Sequence, residues 1–171
     1  MIVEAQPPIE KITEPPPGHT FAGGFWVTHD FSGFVLADSV APRLVECKNP
    51  GTVGARQQAR TRPVRGELLI LCAGLPTNTI GPLLPPWCRR WEVGGRRLHA
   101  KFGVLTFAAK DGGPGRCWRA FVTSANLTRG GLFRNLEVLV TEDTHDAQES
   151  SQGPSLAHEL VHVFEALVAS L

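Results

Sequence analysis

Cysteine is scarce in this chain, and the four present (Cys47, Cys72, Cys88, Cys117) form no Cys-x-x-Cys pair and no regular spacing. That pattern argues against a zinc knuckle and against the disulfide framework of a small secreted domain. Long hydrophobic runs are missing too: no segment approaches the roughly 20 apolar residues of a membrane span. The opening Met-Ile-Val-Glu-Ala lacks a basic region followed by a long apolar stretch, so no signal peptide is visible. A cytoplasmic, reducing environment without membrane contact is the expectation. No internal repeat is present, and no cluster of carboxylates offers the ligands that Mg²⁺ prefers.

What is present suits one compact domain with a full-sized core: 171 residues, 42% hydrophobic and 19% charged. The net charge of +1 conceals a strong segregation. Residues 1–42 carry one base and five acids, residues 43–134 sixteen bases and four acids, and residues 135–171 no bases and seven acids, for −4, +12 and −7. Thirteen of the seventeen bases are Arg, whose planar fork matches phosphate. A basic middle of this kind is either a solvated face or the footprint of a polyanion.

Taken in order, residues 1–20 are rich in proline and read as a tail, with one domain over 21–171. Gly23–His29 has the composition of a first strand. Asp30 or Ser32 can cap a helix to about Cys47, with Phe34, Val35, Leu36, Val40, Leu44 and Val45 as its apolar side and Pro42 interrupting it or marking its last turn. Residues 48–66, with Arg56, Arg60, Arg62 and Arg65 and no apolar periodicity, read as a flexible basic loop. Glu67–Gly74 is apolar enough for a strand buried on both faces. Residues 75–90 hold too much Pro and Gly for regular structure, and Gly94-Gly95 signals a hairpin from Trp91-Glu-Val into the next strand. Lys110–Gly115 is a second turn. A last strand over 135–142 and a helix from Pro154 to Leu171 close the chain. The expected fold is α/β, a sandwich with a mixed sheet flanked by helices.

Within that frame Arg97–Phe107 alternates as a strand does, with Leu98, Ala100, Phe102 and Val104 on one face and His99, Lys101, Gly103 and Leu105 on the other. An imidazole and an ammonium thus sit side by side in an apolar segment. Ala120–Leu127 places Val122, Ser124 and Asn126 on one face, and Asn135–Val140 carries Glu137. Together these residues fit phosphoryl transfer through a covalent intermediate. An imidazole nitrogen attacks phosphorus, Glu137 fixes the other nitrogen, and Lys101 with the Asn126 amide holds the non-bridging oxygens. The bland alternative is a core histidine bonded to Glu137, with Lys101 reaching outward.

The set His99-Ala-Lys101, Thr123-Ser-Ala-Asn-Leu-Thr128 and Asn135-Leu-Glu137 resembles the signature of the phospholipase D superfamily. The Asn126-to-Glu137 step looks like that of the family's small bacterial nucleases. Trp26-Val-Thr-His-Asp-Phe and the helix after it resemble the family's first strand–helix unit, so the likeness spans roughly residues 23–171. The resemblance implies a phospholipase D-like sandwich and catalytic roles for His99, Lys101, Ser124, Asn126 and Glu137, with no cofactor and no metal. It also implies a second histidine as general acid. One motif copy supplies only His99, so a two-fold homodimer, or a second motif-bearing half, is expected. The family's usual Asp, five positions after the lysine, is Thr106 here. Members similar to tyrosyl-DNA phosphodiesterase and some metal-independent restriction nucleases also lack it, which shifts weight from lipid toward nucleic acid.

The resulting expectation is a metal-independent phosphodiesterase or nuclease acting on nucleic acid, DNA before RNA, through a phosphohistidine. Arg96, Arg97 and Arg129 are its candidate substrate-binding residues. The alternative is a catalytically degenerate module that binds nucleic acid or a partner. A phospholipase ranks lower. So does a zinc peptidase, although His158-Glu-Leu-Val-His162 matches the His-Glu-x-x-His pattern. On a helical projection Leu156, Leu160, Val163, Phe164, Leu167 and Leu171 form the apolar stripe, and both histidines fall on the solvent side.

Overall fold

Six strands form one mixed sheet in the computed structural model, which describes residues 8–73, 84–93, 98–133, 138–146 and 154–170. The strands are β1 (His19–Thr28), β2 (Leu68–Cys72), β3 (Cys88–Glu92), β4 (Phe102–Ala109), β5 (Arg116–Thr123) and β6 (Leu139–His145), in the spatial order β3-β2-β1-β4-β5-β6. β1, β2 and β3 run parallel, while β4, β5 and β6 follow as antiparallel neighbours on the other side of β1. β1 is therefore central, and the sheet changes character across it.

Both faces of the sheet are covered. Alternation sends Trp26, Ile70, Leu105 and Phe121 to one face. There they meet α1 (Pro8–Thr13), the helical run α2 (Gly33–Val35) to α3 (Ala41–Leu44), α4 (Val53–Thr61) and α5 (Arg129–Phe133). Phe25, Val27, Phe102, Val104 and Ala120 go to the other face, under Ala157 and Leu160 of α6 (Leu156–Ala169). Apolar area removed from water on two sheet faces supplies the main driving force for this arrangement.

The α/β class, the mixed sheet, the buried second strand, the turn at 110–115 and the closing helix agree with expectation. Other elements differ, for local reasons. The proline-rich start holds α1, whose Ile9 and Ile12 are fully buried, so the tail does not extend over residues 8–20. The guanidinium of Arg119 fixes that helix by donating to Glu14 O at 2.5 Å and Ile12 O at 3.4 Å, while its Nε and Nη2 grip Asp143 of β6 at 2.7 Å each. The basic stretch 48–66 contains α4 instead of being loop throughout. Thr52 caps it by accepting from Ala55 N, and Ala55 and Ala59 press small side chains onto the core. The helix after β1 starts at the Ser32 cap as expected but passes through a π-helical turn (Leu36–Val40) before Pro42, and Phe34 points outward. β3 begins within the stretch expected to be irregular. It pairs in parallel with β2 at the sheet edge, so it does not form a hairpin with β4.

All four cysteines are free thiols buried in the core. Burial pushes each thiol above its usual pKa, Cys117 up to about 11 with the nearby Asp143 carboxylate adding to the rise. The folded value lies above the unfolded one. The Cys117 contribution to stability is therefore intact below the ordinary thiol range and is lost as pH rises through about 11. Iodoacetamide at pH 8 is expected to modify none of the four until denaturant is added. Rapid labelling of the native protein would contradict this placement.

Candidate active site

Because β4 runs antiparallel to β1, and β5 antiparallel to β4, the start of β4 and the end of β5 both fall at the C-terminal end of β1. Ligands of open α/β sheets commonly sit at such strand ends, where the chain turns to opposite sides of a central strand. His99 and Lys101 lie immediately before β4, and Ser124 and Asn126 immediately after β5, so none of the four is within a strand. These four residues flank the β4–β5 pair at that end, on the approaches to the strands and not within them as expected. The backbone N of Thr123 donates to Lys101 O at 2.9 Å and locks the two segments together.

The turn that carries Asn126 is bonded to the end of β1. Thr28, fully buried, accepts from Leu127 N at 3.0 Å and donates to Asp30 O at 2.8 Å. Asp30 and Asn126 close a ring: Asp30 N donates to Asn126 Oδ1 at 3.2 Å, and Asn126 Nδ2 donates to Asp30 Oδ2 at 3.4 Å. Ser32 N donates to Leu127 O at 2.9 Å, beside the Phe31–Leu127 bridge. Ser124 Oγ accepts from Val138 N at 3.0 Å, which makes it a brace between the turn and the start of β6.

His99 is exposed, and its ring lies flat against that of His29, with centroids 4.5 Å apart and an interplanar angle of 16°. His29 Nδ1 sits 2.9 Å from Leu98 O, and since a carbonyl can only accept, Nδ1 carries the proton. His29 thus grips the backbone next to His99 and supplies a platform for its ring. Sequence reading passed over His29 and Asp30 as site residues. The available signal was a His-Asp pair directly following the apolar run of β1. Lys101 is half-buried, and its Nζ donates to His99 O at 2.9 Å, which leaves two of its three protons for an anion.

Glu137, Arg96 and Arg97 lie outside the described residues. Arg129 opens α5, exposed, three residues beyond Asn126. Thr106 is remote: it sits well along β4, opposite Gly23, and lines a separate cleft of about 570 Å³ with Arg65 and Arg116. The His158 and His162 side chains are exposed on α6 with their Nε2 atoms 2.9 Å apart. Among the described residues no group of three His, Cys, Asp or Glu side chains is arranged to hold a metal ion. Val163, placed in the apolar stripe by projection, is 51% exposed instead.

Thr28→Val, which keeps the shape but deletes the acceptor of Leu127 N, is expected to cost about 1–3 kcal/mol in urea unfolding. Thr28→Ser should cost clearly less, and equal losses in the two variants would show that the hydroxyl is not what secures the turn. No protein-family model and no curated protein matches this sequence, so similarity assigns no family, and the chemistry is argued from the side chains gathered at this end of the sheet.

Proposed function

We propose that the chain is a phospholipase D-like phosphodiesterase that cuts nucleic acid, DNA before RNA, without a metal and through a phosphohistidine on His99. The supporting observation is the juxtaposition of the His99–Lys101 segment and the Ser124–Asn126 turn at the C-terminal end of β1. A ring nitrogen of His99 forms a bond to phosphorus as the P–O bond to the leaving strand breaks, and the departing oxygen takes a proton from a general acid. Water then attacks phosphorus, releases a phosphomonoester and restores the imidazole. The free Lys101 protons and the second Asn126 amide proton are placed to stabilise the equatorial oxygens. Glu137 is assigned the orienting carboxylate by its place in the motif.

His29 does not serve as the acid in this scheme. Imidazole lone pairs and N–H bonds lie in the ring plane, so two rings stacked 16° from parallel do not face each other across a phosphate, one on phosphorus and the other on the leaving oxygen. In-line transfer needs the attacking nitrogen about 3–3.5 Å from phosphorus on one side, and the acid within hydrogen-bond reach of the leaving oxygen on the other. His99 of a second copy, in a two-fold homodimer, is the proposed partner. A second reading, a degenerate nucleic-acid-binding module of the same fold, is favoured by Lys101 folding back onto the His99 carbonyl and by Thr106 in place of an Asp.

His99→Ala should abolish cleavage of labelled DNA in EDTA, by 10³-fold or more on the scale of losing a covalent nucleophile (an order-of-magnitude figure), while leaving retention on DNA intact. His29→Phe, which keeps a flat platform, should retain more activity than His29→Ala. Undiminished EDTA-resistant cleavage by the His99→Ala protein would refute the assignment, and full activity in a protein that sediments only as monomer would refute the shared site.

A further inference from the structure

Beside the site, α2 and α5 flank a cleft of about 620 Å³ whose walls include Phe34, Phe133 and Arg129. The phenyl rings are 48% and 38% exposed, in a chain that buries Phe21, Phe107 and Phe121 almost completely. Arg129 is exposed and has no hydrogen-bond or ion-pair partner among the described residues. The one carboxylate in the lining, Asp38, is neutralised by Arg56 Nε at 2.7 Å, which leaves the cleft with a net positive charge. Gly51, also in the lining, adds no side chain: a Cβ there would meet nothing within 4 Å.

Two half-exposed phenyl rings in the wall, a guanidinium uncommitted among the described residues and a positive balance describe a ligand that is flat and aromatic in one part and anionic in the next. A nucleotide within a strand meets that description. The cleft volume lies within the range of about 300–1,000 Å³ that holds drug-sized ligands, enough for one or two nucleotides. The position also fits. Phe34 follows Asp30 by four residues and Arg129 follows Asn126 by three, and those two loops are bonded to each other through Leu127. A strand lying in the cleft therefore approaches the His99 end of the sheet. Bases inside a duplex are stacked on each other and offer no free face to a phenyl ring without being flipped out. Single-stranded bases do.

We infer that the substrate of this site is single-stranded nucleic acid, with an unpaired base stacked on Phe34 or Phe133 and the adjoining phosphate held by Arg129. The inference rests on the nucleic-acid reading above and adds strand state and a binding subsite to it. Arg129 supplies charge, and the rings supply preference for unpaired over paired bases without reading sequence, because every base has a π-face.

The test measures fluorescence-anisotropy binding of the full chain to a labelled oligothymidylate and to a blunt duplex of equal length. Wild type, Phe34→Ala/Phe133→Ala, Phe34→Leu/Phe133→Leu, Arg129→Gln and His99→Ala are compared, with melting curves to check folding. Wild type should prefer the single strand. The double alanine variant should bind it about 5- to 150-fold more weakly, with duplex binding little changed. The leucine pair, which keeps apolar bulk without ring faces, should behave the same way, and it stands in if the alanine pair fails to fold. Arg129→Gln should lower the slope of log K against log salt by about 0.7. Equal wild-type affinity for both substrates, undiminished single-strand binding by the leucine pair, or equally tight binding of an acidic, aromatic-containing peptide would overturn the inference. Cleavage in EDTA by wild type with an unchanged KM in the phenylalanine variants would sink the subsite and leave the phosphodiesterase standing. Phenylalanine-dependent single-strand binding with no cleavage by wild type would do the reverse.

Discussion

The bond network joining the end of β1 to the turn after β5 is the constraint on which the site depends. Thr28 is fully buried, and its hydroxyl bonds both Asp30 O nearby and Leu127 N, 99 residues further along the chain. An unsatisfied backbone donor at such a depth costs enough that the Leu127 amide must find a partner, and Thr28 is placed to be one. The turn is thereby fixed against β1, and Asn126 is presented beside Asp30. On the other flank His29 reaches across to Leu98 and settles its ring on His99. Three consecutive residues, Thr28, His29 and Asp30, thus hold both halves of the candidate machinery.

The sheet makes this possible through its change of direction at β1. With β2 and β3 parallel on one side and β4, β5 and β6 antiparallel on the other, one end of β1 collects the end of β5 and the approach to β4. The helices that follow those segments then define the surroundings. α2 starts two residues after Phe31, and α5 three residues after Asn126, so the Phe34, Phe133 and Arg129 cleft arises from the same connections that set the site. Arg119 and Asp143 perform a comparable service away from the site, where a forked ion pair ties α1 to β5 and β6.

What could be read from the sequence was what local pattern controls. The apolar run of β2, the alternation of Leu98, Phe102 and Val104, the Ser32 cap and the Lys110–Gly115 turn all specify their structure within a few residues. α1 and α4 were hidden because their burial depends on distant partners. Ile9 and Ile12 give too short a pattern among prolines, and Ala55 and Ala59 are too small to register as an apolar face among arginines and glutamines. The placement of β3 was misread because a Gly-Gly step marks only a turn, while the pairing partner of an edge strand is chosen by long-range burial. His99, Lys101, Ser124 and Asn126 could be singled out from their motif, but His29 could not, since nothing in a sequence shows that the ring after β1 stacks on one seventy residues later.

The central claim is a covalent bond between His99 and phosphorus. Its most direct measurement is rapid acid-free quenching of the protein with end-labelled single-stranded DNA in chelator, followed by mapping of any labelled peptide by mass spectrometry. The account predicts an acid-labile, base-stable phosphoramidate on His99 that is absent from the His99→Asn protein. Turnover without any such adduct, or an adduct mapping to another residue, would contradict it.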